Sequence, residues 1–92
     1  MIVSLSNRAE AELDLAVAFV RESNPRVSKV LHLTIERALE SLEIFPNRGR
    51  PGQIDGTREL VVQGTPFIIV YSVSDDEVLI ARIRHTSQDP AP

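Results

Sequence analysis

Apolar positions recur with the period of an α-helix in the first half of the chain and with the period of a β-strand in the second half. A short apolar stretch at residues 2–5 predicts a first strand. Ser6 and Asn7 offer N-caps for a helix that we expect to end near residue 23. Asn24 precedes a proline and caps a second helix, expected at 25–45. Two helices joined by almost no loop form an antiparallel hairpin.

The period changes to two after residue 57, so the second half is predicted to consist of strands. Residues 46–57 contain prolines and glycines without an apolar rhythm, which is typical of a loop. The strands are expected at 58–63, 67–73 and 77–85, separated by short turns. Short turns between neighbouring strands predict antiparallel pairing.

The order β-αα-βββ predicts an α+β fold in which a helical hairpin packs on one face of an antiparallel meander sheet. The first strand is expected to join this sheet, at either edge. We expect one domain over residues 1–88 and a frayed C-terminal tail over residues 89–92.

Composition narrows the possible functions. The chain has 92 residues, a net charge of -3, no cysteine and two histidines. This length fits one domain, and disulfides and thiolate metal sites are excluded. No metal or cofactor is expected. The acidic balance argues against high-affinity binding to nucleic acid through bulk charge. The longest apolar run, residues 67–71, is far too short to span a membrane, so a cytoplasmic protein is expected.

The strand half carries the residues suited to metal-free cleavage of RNA, which needs a base, an acid and cations for the developing phosphate charge. Strand alternation places Val78, Ile80, Arg82 and Arg84 on one face and His85 on the other. That split separates the candidate groups unless the strand ends before the histidine. The candidates for a ribonuclease site are Arg58, Arg82, Arg84, His85 and Tyr71.

These residues also have simpler interpretations. Arg82 and Arg84 at a strand end are suited to binding the carboxylates of a partner, and Tyr71 in mid-strand fits a core position with its hydroxyl at the rim. The loop arginines Arg48 and Arg50, with the glycines around them, are compatible with a phosphate cradle or with an ordinary turn.

The first helix has more apolar surface than a small sheet can cover. Leu15 and Phe19 lie beside the main apolar stripe. We therefore expect an exposed apolar patch between the helices and the sheet, which in a soluble protein marks a partner site. A homodimer contact or ordinary partial burial would also explain these two residues.

Four segments together resemble the RelE/ParE superfamily of type II toxins. These are residues 42–52, 56–62, 66–73 and 77–85, and their order and spacing match over nearly the whole chain. The resemblance implies the fold described above and one of two activities. One branch of the superfamily cuts messenger RNA on the ribosome, and the ParE branch binds DNA gyrase and poisons it.

Three departures from the ribonuclease pattern and one match to the ParE pattern favour the ParE-like branch. Ile68 stands where the ribonuclease branch usually has a basic residue, and Thr86 and Ser87 stand where it often has His or Tyr. His85 matches the histidine that closes the last strand of ParE-like sequences. The net charge of -3 contrasts with the strongly basic surface that ribosome docking requires.

The resemblance therefore implies a plasmid-stabilisation type of toxin that inhibits gyrase without catalysis. It also implies a ParD-like, DNA-binding antitoxin with a tail that is disordered alone and orders on the toxin. The alternative is a RelE-like, metal-independent endoribonuclease. The residues expected to contact partners are Leu15, Phe19, Arg58, Arg82, Arg84 and His85.

Overall fold

The computed structural model describes residues 1–87, which form two helices packed on one face of a five-stranded sheet. The predicted α+β class and the predicted order of elements are confirmed, and the structure adds one short strand that was not predicted. The expected tail at 89–92 lies outside the described residues. The elements are β1 (Ile2–Leu5), α1 (Asn7–Ser23), α2 (Pro25–Ile44), β2 (Arg50–Pro51), β3 (Arg58–Val61), β4 (Phe67–Val73) and β5 (Glu77–His85).

The helix boundaries follow from their caps. The Ser6 hydroxyl accepts a hydrogen bond of 3.0 Å from the backbone N–H of Ala9, which makes Ser6 the N-cap of α1. Asn24 ends α1 and starts α2, where its side-chain oxygen accepts from the N–H of Val27 at 3.1 Å. Both caps are readable in the sequence, so both helices begin and end within a residue or two of the prediction.

The sheet has the order β1-β5-β4-β3-β2, and β1 pairs with β5 in parallel. The predicted antiparallel meander is therefore confirmed for β3, β4 and β5. The first strand, which was expected at either edge, joins the sheet beside β5. A parallel neighbour needs a long crossover connection, and the helical hairpin supplies it. Pairing ends at Leu5 with Ile80, so the second half of β5 lies at the edge of the described sheet.

The segment expected to be a loop contains β2, whose two residues pair antiparallel with β3. A two-residue strand with a proline in it is too short to produce a periodic pattern, which is why the sequence did not reveal it. β3 also ends at Val61, two residues earlier than the predicted 63, because the chain turns away at the β3–β4 hairpin.

A β-bulge in β5 corrects the predicted division of its faces. Val70 pairs with Arg82 and Tyr71 pairs with Ile80, so Ala81 has no partner in the register. The extra residue reverses the alternation. Ile83 therefore joins Ile80 in the core. Arg82 pairs with Val70 on the outer face, and its side chain reaches Glu12 of α1 at the open edge of β5.

The core lies between the helical hairpin and the sheet. Helix α2 runs along it with buried residues at helical spacing, and β4 contributes alternate residues from below. The core residues from the helices are Ala9, Leu13, Val17, Leu31, Ile35, Leu39 and Leu42, and those from the strands and the β3–β4 hairpin are Leu60, Val62, Phe67, Ile69, Tyr71, Val78, Ile80 and Ile83.

Candidate partner-binding groove

An apolar groove runs between the helical hairpin and the end of the sheet formed by β4 and β5. It encloses a cavity of 530 Å³, and Leu15 and Phe19 on its α1 wall are 71% and 77% exposed. The predicted apolar patch is thus present. Its lining residues are Glu12, Leu15, Ala16, Phe19, Val20, Val27, Val30, Leu31, Thr34, Gly64, Thr65, Pro66, Phe67, Ile83 and His85.

The groove exists because each helix carries two neighbouring apolar stripes. On α1, Leu13 and Val17 face the sheet and are buried, while Leu15 and Phe19 lie further round the helix. On α2, Val27 and Val30 are exposed in the same way and form the opposite wall. The short sheet covers the first pair of stripes and leaves the second uncovered.

His85 closes the floor of the groove at the end of β5. Its ring meets the ring of Phe67 edge to face, with centroids 5.2 Å apart and planes at 87°. The Nδ1 atom accepts a hydrogen bond of 3.0 Å from the N–H of Ser87. His85 therefore lines the same groove as Leu15 and Phe19.

Glu12 on α1 binds the open edge of β5 at one end of the groove. One of its carboxylate oxygens accepts from the N–H of Ile83 at 3.0 Å, and the other accepts from Arg82 Nη2 at 2.7 Å. An edge N–H that has no neighbouring strand needs such an acceptor. Arg82 was predicted to meet an acidic group of a partner, and in the free chain it already meets one of the chain's own.

Arg84 lies on the outer face of the sheet and is 5% exposed. Its guanidinium is 3.5 Å from the carboxylate of Glu59, which is 7% exposed and also pairs with Arg50 at 3.2 Å. The same carboxylate accepts from the N–H of Gln53 at 3.3 Å. This buried cluster ties the segment around β2 to the sheet, and a side chain so enclosed does not present its charge to a partner.

Tyr71 and Arg58 fasten the end of α2 to the sheet from the helix side. The Tyr71 side chain is fully buried, as its mid-strand position predicts, and its hydroxyl donates to the carbonyl of Pro46 and accepts from the N–H of Gly49, both at 2.8 Å. Arg58 Nη1 donates to the carbonyl of Gly49 at 2.7 Å. A Cβ at Gly49 would lie 2.7 Å from the tyrosine oxygen, so the approach requires glycine.

The five candidates for a ribonuclease site do not form one cluster, although Arg58 lies beside Tyr71. Arg82 and Arg84 lie on the outer face, while Tyr71 and His85 lie on the helix face about 13 Å apart along β4, since His85 pairs with Phe67. The phosphate-cradle hypothesis for the loop is wrong, because the N–H groups of Gly49 and Gly52 are bonded to Tyr71 and Thr57.

Sequence reasoning missed the acidic partners of the arginines. Glu12 and Glu59 look like solvated residues in the sequence, and neither was singled out. Glu12 stands four residues before Ala16 and seven before Phe19, so helical spacing alone places it on the groove stripe. Glu59 has no comparable signal, because its burial depends on a loop that folds back over the sheet.

Neither helix in residues 1–87 is long and apolar enough to cross a membrane.

Fold comparison places the architecture among small toxin proteins. The toxin-antitoxin structure described as the chromosomal ParDE system from P. aeruginosa matches with a TM-score of 0.85 and 25% identity, over 92% of this chain and 95% of that one. A mutant form of E. coli YafQ shares the fold at a TM-score of 0.57 and 16% identity, over 97% of each chain.

Sequence comparison gives the family. Residues 3–90 match the model of the ParE toxin of the type II toxin-antitoxin system parDE, so the chain belongs to the ParE toxin family. The Sinorhizobium fredii protein Y4kP, described by its name as a candidate toxin, is 37% identical over 88% of this chain and 83% of that protein. Toxin RelE2 of Caulobacter vibrioides is 36% identical over 88% of this chain and 90% of that toxin.

Membership in a toxin-antitoxin family implies an antitoxin partner.

Proposed function

We propose that this chain is a toxin that is neutralised when a segment of its ParD-like antitoxin fills the apolar groove. The observation that carries the proposal is the exposure of Leu15 and Phe19 on the wall of a 530 Å³ cavity. Burying a leucine or phenylalanine side chain contributes about 1.5–3 kcal/mol. A segment that is disordered alone can use this gain to offset its ordering entropy.

We further propose DNA gyrase as the target and binding as the mode of action. The ParE family favours this target, and the dispersal of the candidate catalytic groups supports action without chemistry. The net charge of -3 supports it too, because a ribosome-docking toxin gains affinity from a basic surface.

A second candidate function is cleavage of messenger RNA on the ribosome. The name of the relative Toxin RelE2 favours it. In that case Arg82 and His85 at the end of β5, with Arg58, Arg84 and Tyr71, would have to rearrange to act together. Each would have to leave a contact described above.

The target is tested by expressing the chain without antitoxin in a growing culture. Growth, plasmid supercoiling by gyrase and integrity of messenger RNA are measured side by side. We expect arrested growth, impaired supercoiling and intact message. Cleaved message with normal supercoiling would overturn the gyrase proposal and establish the second candidate. A core variant that cannot fold, Leu13→Asp, controls for the burden of expression.

The groove is tested with Leu15→Asp and Phe19→Asp, titrated with the antitoxin encoded beside the toxin. Each change places a charge where an apolar contact is proposed, so the affinity is expected to fall by at least about a hundredfold. Ile44→Asp is the matched control, because Ile44 is 73% exposed and lies outside the groove lining. Unchanged affinity in the folded groove variants would show that the antitoxin docks elsewhere. Sedimentation without antitoxin reports whether a second copy fills the groove instead.

A further inference from the structure

A second, smaller cavity continues the apolar groove along α2 towards the end of that helix. It measures 200 Å³ and shares Thr34 with the first cavity. The β3–β4 hairpin borders both, the first through Gly64 and Thr65 and the second through the preceding residue, Gln63. The residues lining the second cavity are Thr34, Arg37, Ala38, Arg48, Val61, Val62 and Gln63.

Two guanidinium groups line this second cavity. Arg37 projects from α2, and Arg48 comes from the segment that follows the helix. Arg48 is held in place, since its Nη1 donates to the Ser41 hydroxyl at 2.8 Å, and that hydroxyl donates to the carbonyl of Ala38 at 2.6 Å. Ser41 follows Arg37 by four residues, about one helical turn, so Arg48 is held on the side of α2 from which Arg37 projects.

Neither guanidinium has an acidic partner within residues 1–87. The ion pairs of this part of the chain involve Arg8, Arg50, Arg82, Arg84 and His32, and none involves Arg37 or Arg48. On the α1 side of the groove, the carboxylate of Glu12 is already balanced by Arg82. The groove is thus apolar along its length and positive at one end.

We infer that the Arg37–Arg48 cavity binds a carboxylate side chain of the antitoxin segment that occupies the apolar groove. This inference rests on the proposed function of the groove. Paired guanidinium forks match carboxylate geometry and form charge-assisted hydrogen bonds. A partner that brought an apolar or basic group to this end would leave two like charges facing each other across it.

The inference also fixes the spacing between the acidic residue and the apolar anchors of the bound segment. Val27 at one end of the groove and Arg37 at the other are ten residues apart on α2, which corresponds to about 15 Å. The acidic residue of the antitoxin should therefore lie about ten residues from the farthest apolar anchor if the segment is helical, and about four or five residues away if it is extended.

The test uses Arg37→Gln, Arg48→Gln and the double variant of the full chain, titrated calorimetrically with the co-encoded antitoxin at low and moderate salt. Each single change is expected to weaken binding about tenfold, and the double variant more, with a smaller salt dependence. Arg26→Gln is the matched control, because Arg26 is exposed on the same helix and lies outside both cavities. Its effect should stay below about twofold.

The partner residue is found by changing each Asp or Glu of the antitoxin segment to its amide. One of these changes should weaken binding to the unaltered toxin and lose that effect against the double arginine variant. If no acidic residue is coupled, or if the arginine variants behave like Arg26→Gln, the inference is overturned. If Leu15→Asp also leaves the affinity unchanged, the groove proposal itself has failed, so the two failures are distinguishable.

Discussion

The outer face of the sheet and the helical hairpin on its other face differ in which side chains they bury. On the outer face, the charged residues Arg84 and Glu59 are buried against each other and hold the segment around β2 in place. On the helix side, the apolar residues Leu15 and Phe19 remain exposed although an adjacent core exists. Burial of paired charge beside exposure of apolar surface inverts the usual distribution. The difference teaches that the charges on this sheet are structural and that the uncovered apolar surface is available for binding.

This contrast changes how the arginines of the strands are interpreted. They were expected to meet acidic groups on an antitoxin or on gyrase. In the free chain Arg82 and Arg84 have carboxylates of the chain itself, and Arg58 donates to a backbone carbonyl. A role for them in partner binding stays a prediction, and it would require breaking these contacts. Arg37 and Arg48, which line the second cavity, have no ion pair within residues 1–87 that a partner would have to replace.

The largest effect is expected at the boundary between core and groove on α1. Leu13 and Leu15 are two residues apart, and they are 8% and 71% exposed. Leu13→Ala removes packed apolar atoms and should lower the free energy of unfolding by about 3 kcal/mol. Leu15→Ala should change it by less than about 0.5 kcal/mol. Urea denaturation of both variants measures the difference, and equal losses would mean that Leu15 belongs to the core.

The helices of this fold could be predicted from the sequence because their signals are local. Asn24 serves as the C-terminal boundary of one helix and the N-cap of the next, and the adjacent proline leaves no room for a loop. The three long strands were predictable for the same reason. The apolar groove was predictable because Leu15 and Phe19 exceed what a short sheet can cover.

The remaining features depend on contacts between distant parts of the chain. The parallel pairing of β1 with β5, the bulge at Ala81 and the burial of Glu59 all arise from packing that no local pattern encodes. The bulge is the reason that the predicted face of Ile83 is wrong, because a single extra residue reverses the alternation of the residues that follow it.

The second effect concerns the buried charges of the outer face. Glu59→Gln keeps the size of the side chain and removes the charge beside Arg84, so the free energy of unfolding should fall by about 2 kcal/mol. Glu36→Gln is the control, because Glu36 is exposed and pairs with His32 at the surface, where such pairs contribute little. Chemical denaturation compares the two. A change at Glu59 as small as that at Glu36 would show that the cluster is not structural.

The third effect is expected at the junction between α2 and the sheet. Tyr71→Phe keeps the buried ring and removes the hydroxyl that serves both Pro46 and Gly49. Leaving a buried N–H and a carbonyl unsatisfied should cost about 1.5 kcal/mol. Hydrogen exchange at the Gly49 amide should become faster, and its free energy of opening should fall by about the same amount. The amides in the middle of α1 should change only as much as the free energy of global unfolding changes. Unchanged exchange at Gly49 would contradict the assigned hydrogen bond.

The smallest effect is expected for Arg82, and it decides between the two interpretations of the strand arginines. Its guanidinium is 2.7 Å from Glu12, and both side chains are partly shielded from solvent. Arg82→Ala should lower the free energy of unfolding by about 1 kcal/mol, less than Glu59→Gln, because Glu12 still binds the N–H of Ile83. The affinity for the antitoxin should change less than about threefold, since the charge of Arg82 is directed at Glu12 rather than into the groove. Denaturation and titration of the same variant give both values. A loss of affinity tenfold or greater with unchanged stability would show that Arg82 exchanges Glu12 for a partner's carboxylate on binding, and the separation between a structural charged face and an apolar binding groove would then break down at this residue.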